Sequence, residues 1–279
     1  ALPKMLEALP DDQSNVLGQL LAEMLTNATL PVVITDGLLS EDVEMVSRVK
    51  RVLLAANKID PNRVFDLYLG KGGSVLNIAD FLTHHHEAIN AKSMMRLLEF
   101  AREDSHPAIF TLIDRIARQS LVSALIEFLK SAEWEGRLNI AKTIARFPSE
   151  PVRDALVLLL GDPHRAVRQA ALEGIAGLGM SVPVPPLCAL LRDPDIQVQA
   201  KAIDALIKLN DPSSVQHLLA ILQDESEQIR RAAVEVLNAV GNTNAIKDLL
   251  HALKDQDWWV RVRAADALGS IGGPMVIDA

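Results

Sequence analysis

From Pro151 onward the apolar positions of this chain recur with a period of 31 residues. Leu156, Leu187, Leu218 and Leu249 share one place in the period, and Leu160, Leu191, Leu222 and Leu253 share another four residues on. That spacing predicts one face of a first helix. Val167, Val198, Ile229 and Val260 follow, then Ile175, Leu206, Leu237 and Leu268, then Leu178, Leu209, Val240 and Ile271, and together they predict the apolar face of a second helix. Ala171, Ala202, Ala233 and Ala264 lie among them, where a short side chain lets helix axes approach. Gly179, Asn210, Gly241 and Gly272 then stand where a helix C-cap calls for a left-handed residue. Between the two helices come Asp162, Asp193, Asp224 and Asp255, each 31 residues from the last without insertion or deletion. Each unit reads as helix, tight turn, helix, stop. Units of that kind in series predict an all-α chain, an α-solenoid in which antiparallel helix pairs form a superhelical array.

Stepping the register back places Leu129, Arg137, Ile144 and Phe147 at matching positions, and one step further places Leu98, Ile113 and Ile116, with a turn at Glu103 to Pro107. The predicted units lie near 89–119, 120–150, 151–181, 182–212, 213–243 and 244–274, so the array covers residues 89–279. Residues 1–88 depart from the ruler and form a divergent N-terminal helical region, either altered helix pairs or a separate capping module. Amphipathic segments predict helices at Val16–Leu25, Glu41–Ala56 and Pro61–Leu69, while the short β-branched stretch Pro31–Thr35 predicts a loop. Met275 to Ala279 align with the opening of a first helix, Asn244 to Asp248. A terminal repeat needs a polar outer face, so the array is expected to continue as part of a longer polypeptide.

The pattern aspartate, five residues, arginine occurs at Asp162/Arg168, Asp224/Arg230 and Asp255/Arg261 and resembles the signature of HEAT repeats, in particular the short bacterial subclass of PBS-lyase type. The resemblance implies that the aspartate caps the second helix and that the arginine reaches the aspartate of the neighbouring repeat, making a ladder. An aspartate at a helix N-terminus satisfies free amides and suits the helix dipole, in agreement with that role. Gln199 stands where the second of these units would carry its arginine, and predicts a weaker rung between Asp193 and Asp224.

Aromatic residues make up only 4% of the chain, so the core must be aliphatic. A net charge of −8 disfavours a partner with a phosphate backbone, and no nucleic acid is expected. No apolar run approaches the roughly 18 residues that span a bilayer, so no membrane partner is expected. Cys188 is alone and has no disulfide partner, which is compatible with a reducing, cytoplasmic setting.

Catalytic chemistry finds little support. His84-His85-His86-Glu87 offers metal-ligand types, but consecutive helical residues point about 100° apart and do not converge on one ion. Gly70-Lys71-Gly72-Gly73-Ser74 lacks the first glycine and the Lys-Ser/Thr of a P-loop and predicts a turn between helices. Cys188 aligns with Val157, Leu219 and Leu250 and predicts packing. No catalytic residue, metal or cofactor is assigned.

Two surface features remain. Glu173, Asp204, Glu235 and Asp266 recur once on every second helix, on the side away from its apolar residues, and in the resembled family second helices line the concave face. Read one way, this acidic column is a groove for a basic protein or peptide; read the other, neighbouring Arg and Lys screen it. Trp258 and Trp259 stand where other repeats carry Arg165 and Ala166, Ile196 and Gln197, or Glu227 and Gln228, positions that tolerate polar residues. They are either a partner contact or a structural cover for the start of their helix or a neighbouring repeat. The expected function is a protein-interaction scaffold or regulatory docking domain, with a protein, a peptide, or further repeats or domains of the same chain as partner. The alternative implied by the resemblance is an enzyme of the bilin lyase or deoxyhypusine hydroxylase type, the latter needing several distributed His-Glu pairs where this chain has His86-Glu87 alone.

Overall fold

Connections of a few residues force successive helices to run antiparallel, and this chain joins nearly all of its helices that way. The computed structural model describes residues 16–100, 107–240 and 243–272, and every regular element among them is helical. They form two compact units, residues 1–139 and 140–279.

In the second unit the helices pair as α10 (Glu150–Leu159) with α11 (Arg165–Gly177), α12 (Val184–Ala189) with α13 (Ile196–Leu209), α14 (Ser214–Ile221) with α15 (Glu227–Val240), and α16 (Ile246–Ala252) with α17 (Trp258–Ile271). Leu156, Leu187, Leu218 and Leu249 are fully buried within these hairpins. So are Ala171, Ala202, Ala233 and Ala264, the small residues through which α11, α13, α15 and α17 stack one on the next. The second helices pack on one another more extensively than the first helices do, which makes their side the inner one. Gly174 tightens the same seam: a Cβ there would lie 3.0 Å from Leu156 and 3.1 Å from Ala145. Asn210 at φ 47°, Gly179 at 65° and Gly272 at 66° supply the left-handed stops. Gly241, the turn at 103–106 and the expected helix start at 275–279 lie outside the described residues.

The first unit continues the same construction without the aspartate signature. Its elements are α1 (Val16–Met24), α2 (Leu30–Val33), α3 (Val43–Ala55), α4 (Pro61–Gly70), α5 (Ala79–His84), α6 (Ala91–Phe100), α7 (Pro107–Ile116) and α8 (Gln119–Phe128), with α9 (Trp134–Ile144) crossing the unit boundary. α4, α6 and α8 follow one another in a layer of first helices, and α3, α5 and α7 in a layer of second helices. Side chains tie the starts of the first helices together. The Asn27 side chain accepts from the Asp60 amide at 3.1 Å, Asn62 bridges the Ala88 carbonyl and the Asn90 amide at 2.8 Å each, and Arg118 donates to the His86 and Ile89 carbonyls at 2.8 and 2.6 Å. Asp42 and Asp60 cap α3 and α4 through their carboxylates.

The loop expected at Pro31–Thr35 is helical. Pro31 stands at the helix start, where a missing N–H costs nothing. Leu30, Val33, Ile34 and Leu38 are buried on one side of α2 and the wide π turn Ile34–Leu38 that extends it. Burial at helical spacing thus overrides the β-branched composition. Gly37 sits in this turn against Val49, 2.6 Å from where its Cβ would be.

The Gly70–Ser74 segment is the turn after α4, and its glycines answer to packing. Gly72 is at φ 82°. Gly73 crosses the buried Tyr68 ring, whose carbons lie 2.4 Å from the position of an added Cβ. The amides of Lys71 and Gly73 donate to the Tyr68 carbonyl and that of Gly72 to the Leu69 carbonyl, so the turn is closed on itself rather than open to an anion. Because Tyr68 cannot withdraw from the core, Gly73→Ala is expected to cost about 1–3 kcal/mol. Urea denaturation should show a lower midpoint with an unchanged slope; an unchanged midpoint would refute this packing role.

Candidate partner-binding surface

The turns between paired helices carry a ladder of charge. Arg168 donates to Asp193 of the next hairpin through Nε at 2.8 Å and Nη2 at 2.7 Å. Its Nη1 donates to the carbonyls of Asp162 and Pro163 in its own turn, at 2.8 and 3.1 Å. Arg230 repeats this arrangement, with Asp255 at 2.8 Å from both nitrogens and the Asp224 and Glu225 carbonyls at 2.9 and 3.0 Å. Arg261 makes the bonds to its own turn, to the Asp255 and Gln256 carbonyls at 2.8 and 3.0 Å. One planar guanidinium therefore closes its own turn and grips the next.

The structure corrects the role expected of the aspartates at the helix N-termini. Asp162, Asp193, Asp224 and Asp255 stand two residues outside the helix cap, and each carboxylate accepts the amide of the second residue on, at 2.8, 2.9, 3.0 and 2.8 Å. Capping falls to that second residue where it is an aspartate: Asp195 accepts from the Gln197 and Val198 amides, and Asp257 from Val260. These caps form a second set of rungs, Asp195 with Arg165 at 3.0 Å and Asp257 with Arg231 at 2.5 Å. Asp193 and Asp255 are left free to hold arginine because Asp195 and Asp257 cap the helices that follow them.

At Gln199 the ladder changes hands. The Gln199 amide donates to the Asp193 carbonyl at 2.7 Å, keeping the bond within the turn but not the one across hairpins. Arg192, from the end of the preceding first-helix segment, takes Asp224 instead at 2.7 Å. Its side chain is 45% exposed against 11% for Arg168, so this rung is more screened by water. Arg192 lies outside the repeating pattern, and periodicity in the sequence does not single it out.

The acidic column is interleaved with cations. Glu173 pairs with Lys201 of the next hairpin at 2.8 Å, Arg263 clamps Glu235 from the following helix, and Asp266 lies 3.3 Å from the same arginine. Asp204 is exposed and close enough to Lys201 to help hold its proton. At the start of α17 the indoles of Trp258 and Trp259 are 59% and 39% exposed and meet edge to face, 5.5 Å between centroids. Arg263 lies over Trp259 at 5.7 Å, linking the tryptophan pair to the acidic column. Ile196, at the matching place to Trp258 on α13, is also exposed.

The remaining candidates are dispersed. His84 ends α5, His86 begins a short 3₁₀ turn with its ring on the Thr83 carbonyl, and His85 packs on the Phe81 ring at 4.6 Å. Burial, then the neighbouring His84, pushes the His85 pKa down. No group of three or more metal-ligating side chains converges among the described residues. Cys188 is buried between first helices, and burial raises its thiol to about 11, so it is protonated and inert at neutral pH. No described helix is long and apolar enough to cross a membrane.

A family profile described as HEAT repeats matches residues 122–206, 154–238 and 215–279. No curated protein matches the chain. Among solved structures, an engineered protein is similar at 21% identity and TM-score 0.39, over 98% of this chain and 78% of its own. A designed armadillo repeat protein in complex with the peptide (KR)4 is similar at 20% identity and TM-score 0.40, over 65% of this chain and 92% of its own. The karyopherin Kap121p bound to the extreme C-terminus of the protein phosphatase Cdc14p is similar at 16% identity and TM-score 0.48, over 97% of this chain and 36% of its own.

Two outcomes are expected of the ladder. Arg192→Ala should cost at most about 1 kcal/mol, as an exposed pair does, and Gln199→Arg in that background should recover the loss by restoring the regular rung; urea denaturation of the two variants decides. The second concerns acid. Arg231 holds Asp257 down to about 2, Arg230 lowers Asp255, the Ser226 amide and then Arg192 lower Asp224, and Arg165 lowers Asp195. All four pKa values are depressed on folding, so the unfolded chain binds more protons, and the stability they contribute is complete above the ordinary value of 3.8. It should be lost as pH falls from there towards 2, which a series of urea midpoints against pH would show; a flat profile over that range would contradict the rungs.

Proposed function

The chain belongs to the HEAT-repeat family, and on that footing we propose that it is a protein-interaction scaffold whose inner, second-helix surface takes a segment of a partner protein. The observation that carries this reading is the exposed Trp258–Trp259 pair, anchored by Arg263 on the side where second helices stack. Tryptophan contributes large contact area with few rotors and is enriched among residues that dominate binding. A hydrophobic partner side chain would sit against the indoles, and the edge-to-face packing and the arginine reduce the ordering needed on binding.

The partner's charge is read through what the ion pairs leave over. Glu173, Glu235 and Asp266 each have a cation of this chain beside them, so they offer a basic partner less than four bare carboxylates would. Asp204 is exposed and has no ion pair within contact distance among the described residues, and a basic side chain of the partner is placed there. The preference for basic segments is thus local, and the indoles supply most of the affinity. Binding of this kind needs no nucleophile, metal or proton carrier.

A peptide-display selection on immobilised protein tests this reading. Enriched peptides should carry a large apolar residue with a nearby Lys or Arg, and Trp258→Ala with Trp259→Ala should weaken them at least tenfold without lowering the melting temperature. Asp204→Lys should weaken them a few-fold and flatten their salt dependence. Peptides indifferent to all three changes would place binding elsewhere.

A further inference from the structure

Three kinds of ion pair join successive hairpins of the second unit, and all three skip the same junction. From α10/α11 to α12/α13 they are Arg168 with Asp193, Arg165 with Asp195 and Lys201 with Glu173. From α14/α15 to α16/α17 they are Arg230 with Asp255, Arg231 with Asp257 and Arg263 with Glu235. Between α12/α13 and α14/α15 the 31-residue register puts a neutral residue wherever the flanking junctions have the cation. Gln199 stands for the buried arginine, Ile196 and Ala200 for the two arginines that hold the capping aspartates, and Ala232 for the cation that reaches back along the inner face. Ser226 replaces the capping aspartate itself. Asp204 lacks an ion pair because its counterpart to Lys201 and Arg263 is the methyl group of Ala232. The exposed Arg192–Asp224 pair alone crosses this junction among the described residues.

Apolar packing follows the charges. α13 and α15 pack on each other less extensively than α11 with α13 or α15 with α17. The first helices α12 and α14, in contrast, pack on each other more than the first helices at either flanking junction. Leu172 on α11 and Val234 on α15 are fully buried, whereas Ile203, in the same place on α13, is half-buried. Compared with its neighbours, this junction is closed on the outer side and opened on the inner. Stacked repeats are held by nearest-neighbour interfaces, so bending concentrates where the interface is weakest. An exposed ion pair resists it little.

We infer that the junction between α12/α13 and α14/α15 is a hinge built into the array. About it the hairpins on either side open and close along the inner surface, with the first-helix contact and the Arg192–Asp224 pair as the pivot. Asp204 lies on one side of the hinge and the Trp258–Trp259 pair on the other, so the hinge angle sets the separation of the two contacts proposed for a partner. That consequence rests on the scaffold reading. The hinge itself rests on stacking alone and is measured without a partner.

Gly177, Lys208, Ala239 and Ser270 are exposed and hold one place on α11, α13, α15 and α17. In a Cys188→Ala background of the whole chain, nitroxides on cysteine pairs at 177/208, 208/239 and 239/270 compare the three junctions on equal terms. The 208/239 distance distribution should be at least twice as wide as the other two. Ala200→Arg with Ser226→Asp rebuilds the capping rung, and Ala232→Lys separately gives Asp204 its cation. Each repair should narrow the 208/239 distribution towards the flanking widths and leave the flanking pairs unchanged, while Arg192→Ala should widen it further. Equal widths at all three junctions, or a 208/239 width unmoved by both repairs, would overturn the hinge. Failure of the display selection with this pattern of widths intact would refute the scaffold reading and leave the hinge standing.

Discussion

A guanidinium buried between two helical hairpins is tolerable only if each of its nitrogens is engaged, and that requirement shapes the second unit. Arg168 meets it by dividing its donors between two carbonyls of its own turn and a carboxylate of the next. Neither half is sufficient alone: without the carbonyls the side chain would swing, and without the carboxylate a nearly buried charge would be unpaired. The rung therefore fixes the distance and rotation between hairpins as well as attracting them. Apolar burial along Leu156, Leu187, Leu218 and Leu249 supplies the driving force for collapse but does not specify register, because aliphatic surfaces slide at little cost.

Much of this architecture is legible in the sequence because it is periodic. The 31-residue ruler locates the hairpins, their buried leucines and alanines, and the left-handed stops at Gly179, Asn210 and Gly272. What it misses is whatever breaks the period. Arg192 replaces an arginine at a position seven residues away, which a comparison of aligned columns does not detect. In the first unit the ties between hairpins come from Asn27, Asn62 and Arg118 instead of an aspartate ladder, so hairpins of nearly the same length are present without their signature. The helix at Leu30–Val33 is hidden by β-branched residues whose burial pattern, not their propensity, decides their conformation.

The surface is legible to a smaller degree. Recurrence shows that Glu173, Asp204, Glu235 and Asp266 share a column, but the cations beside them come from a neighbouring column, and only three-dimensional proximity joins Lys201 to Glu173 and Arg263 to Glu235. The column is better described as alternating charge that stitches one second helix to the next, interrupted at Asp204. The same stitching positions Arg263 over Trp259. The ion pairs that align the hairpins thus also position the Trp259 indole, part of the surface proposed above to meet a partner.

Whether the buried arginine sets the stacking is decided by a double-mutant cycle on Arg168 and Asp193, each replaced by alanine singly and together and followed by urea denaturation. If it does, the two losses should be strongly non-additive, with a coupling of about 1.5–3 kcal/mol. Losses that add to within about 0.5 kcal/mol would show instead that apolar packing alone aligns the hairpins and that the rung fixes neither their distance nor their rotation.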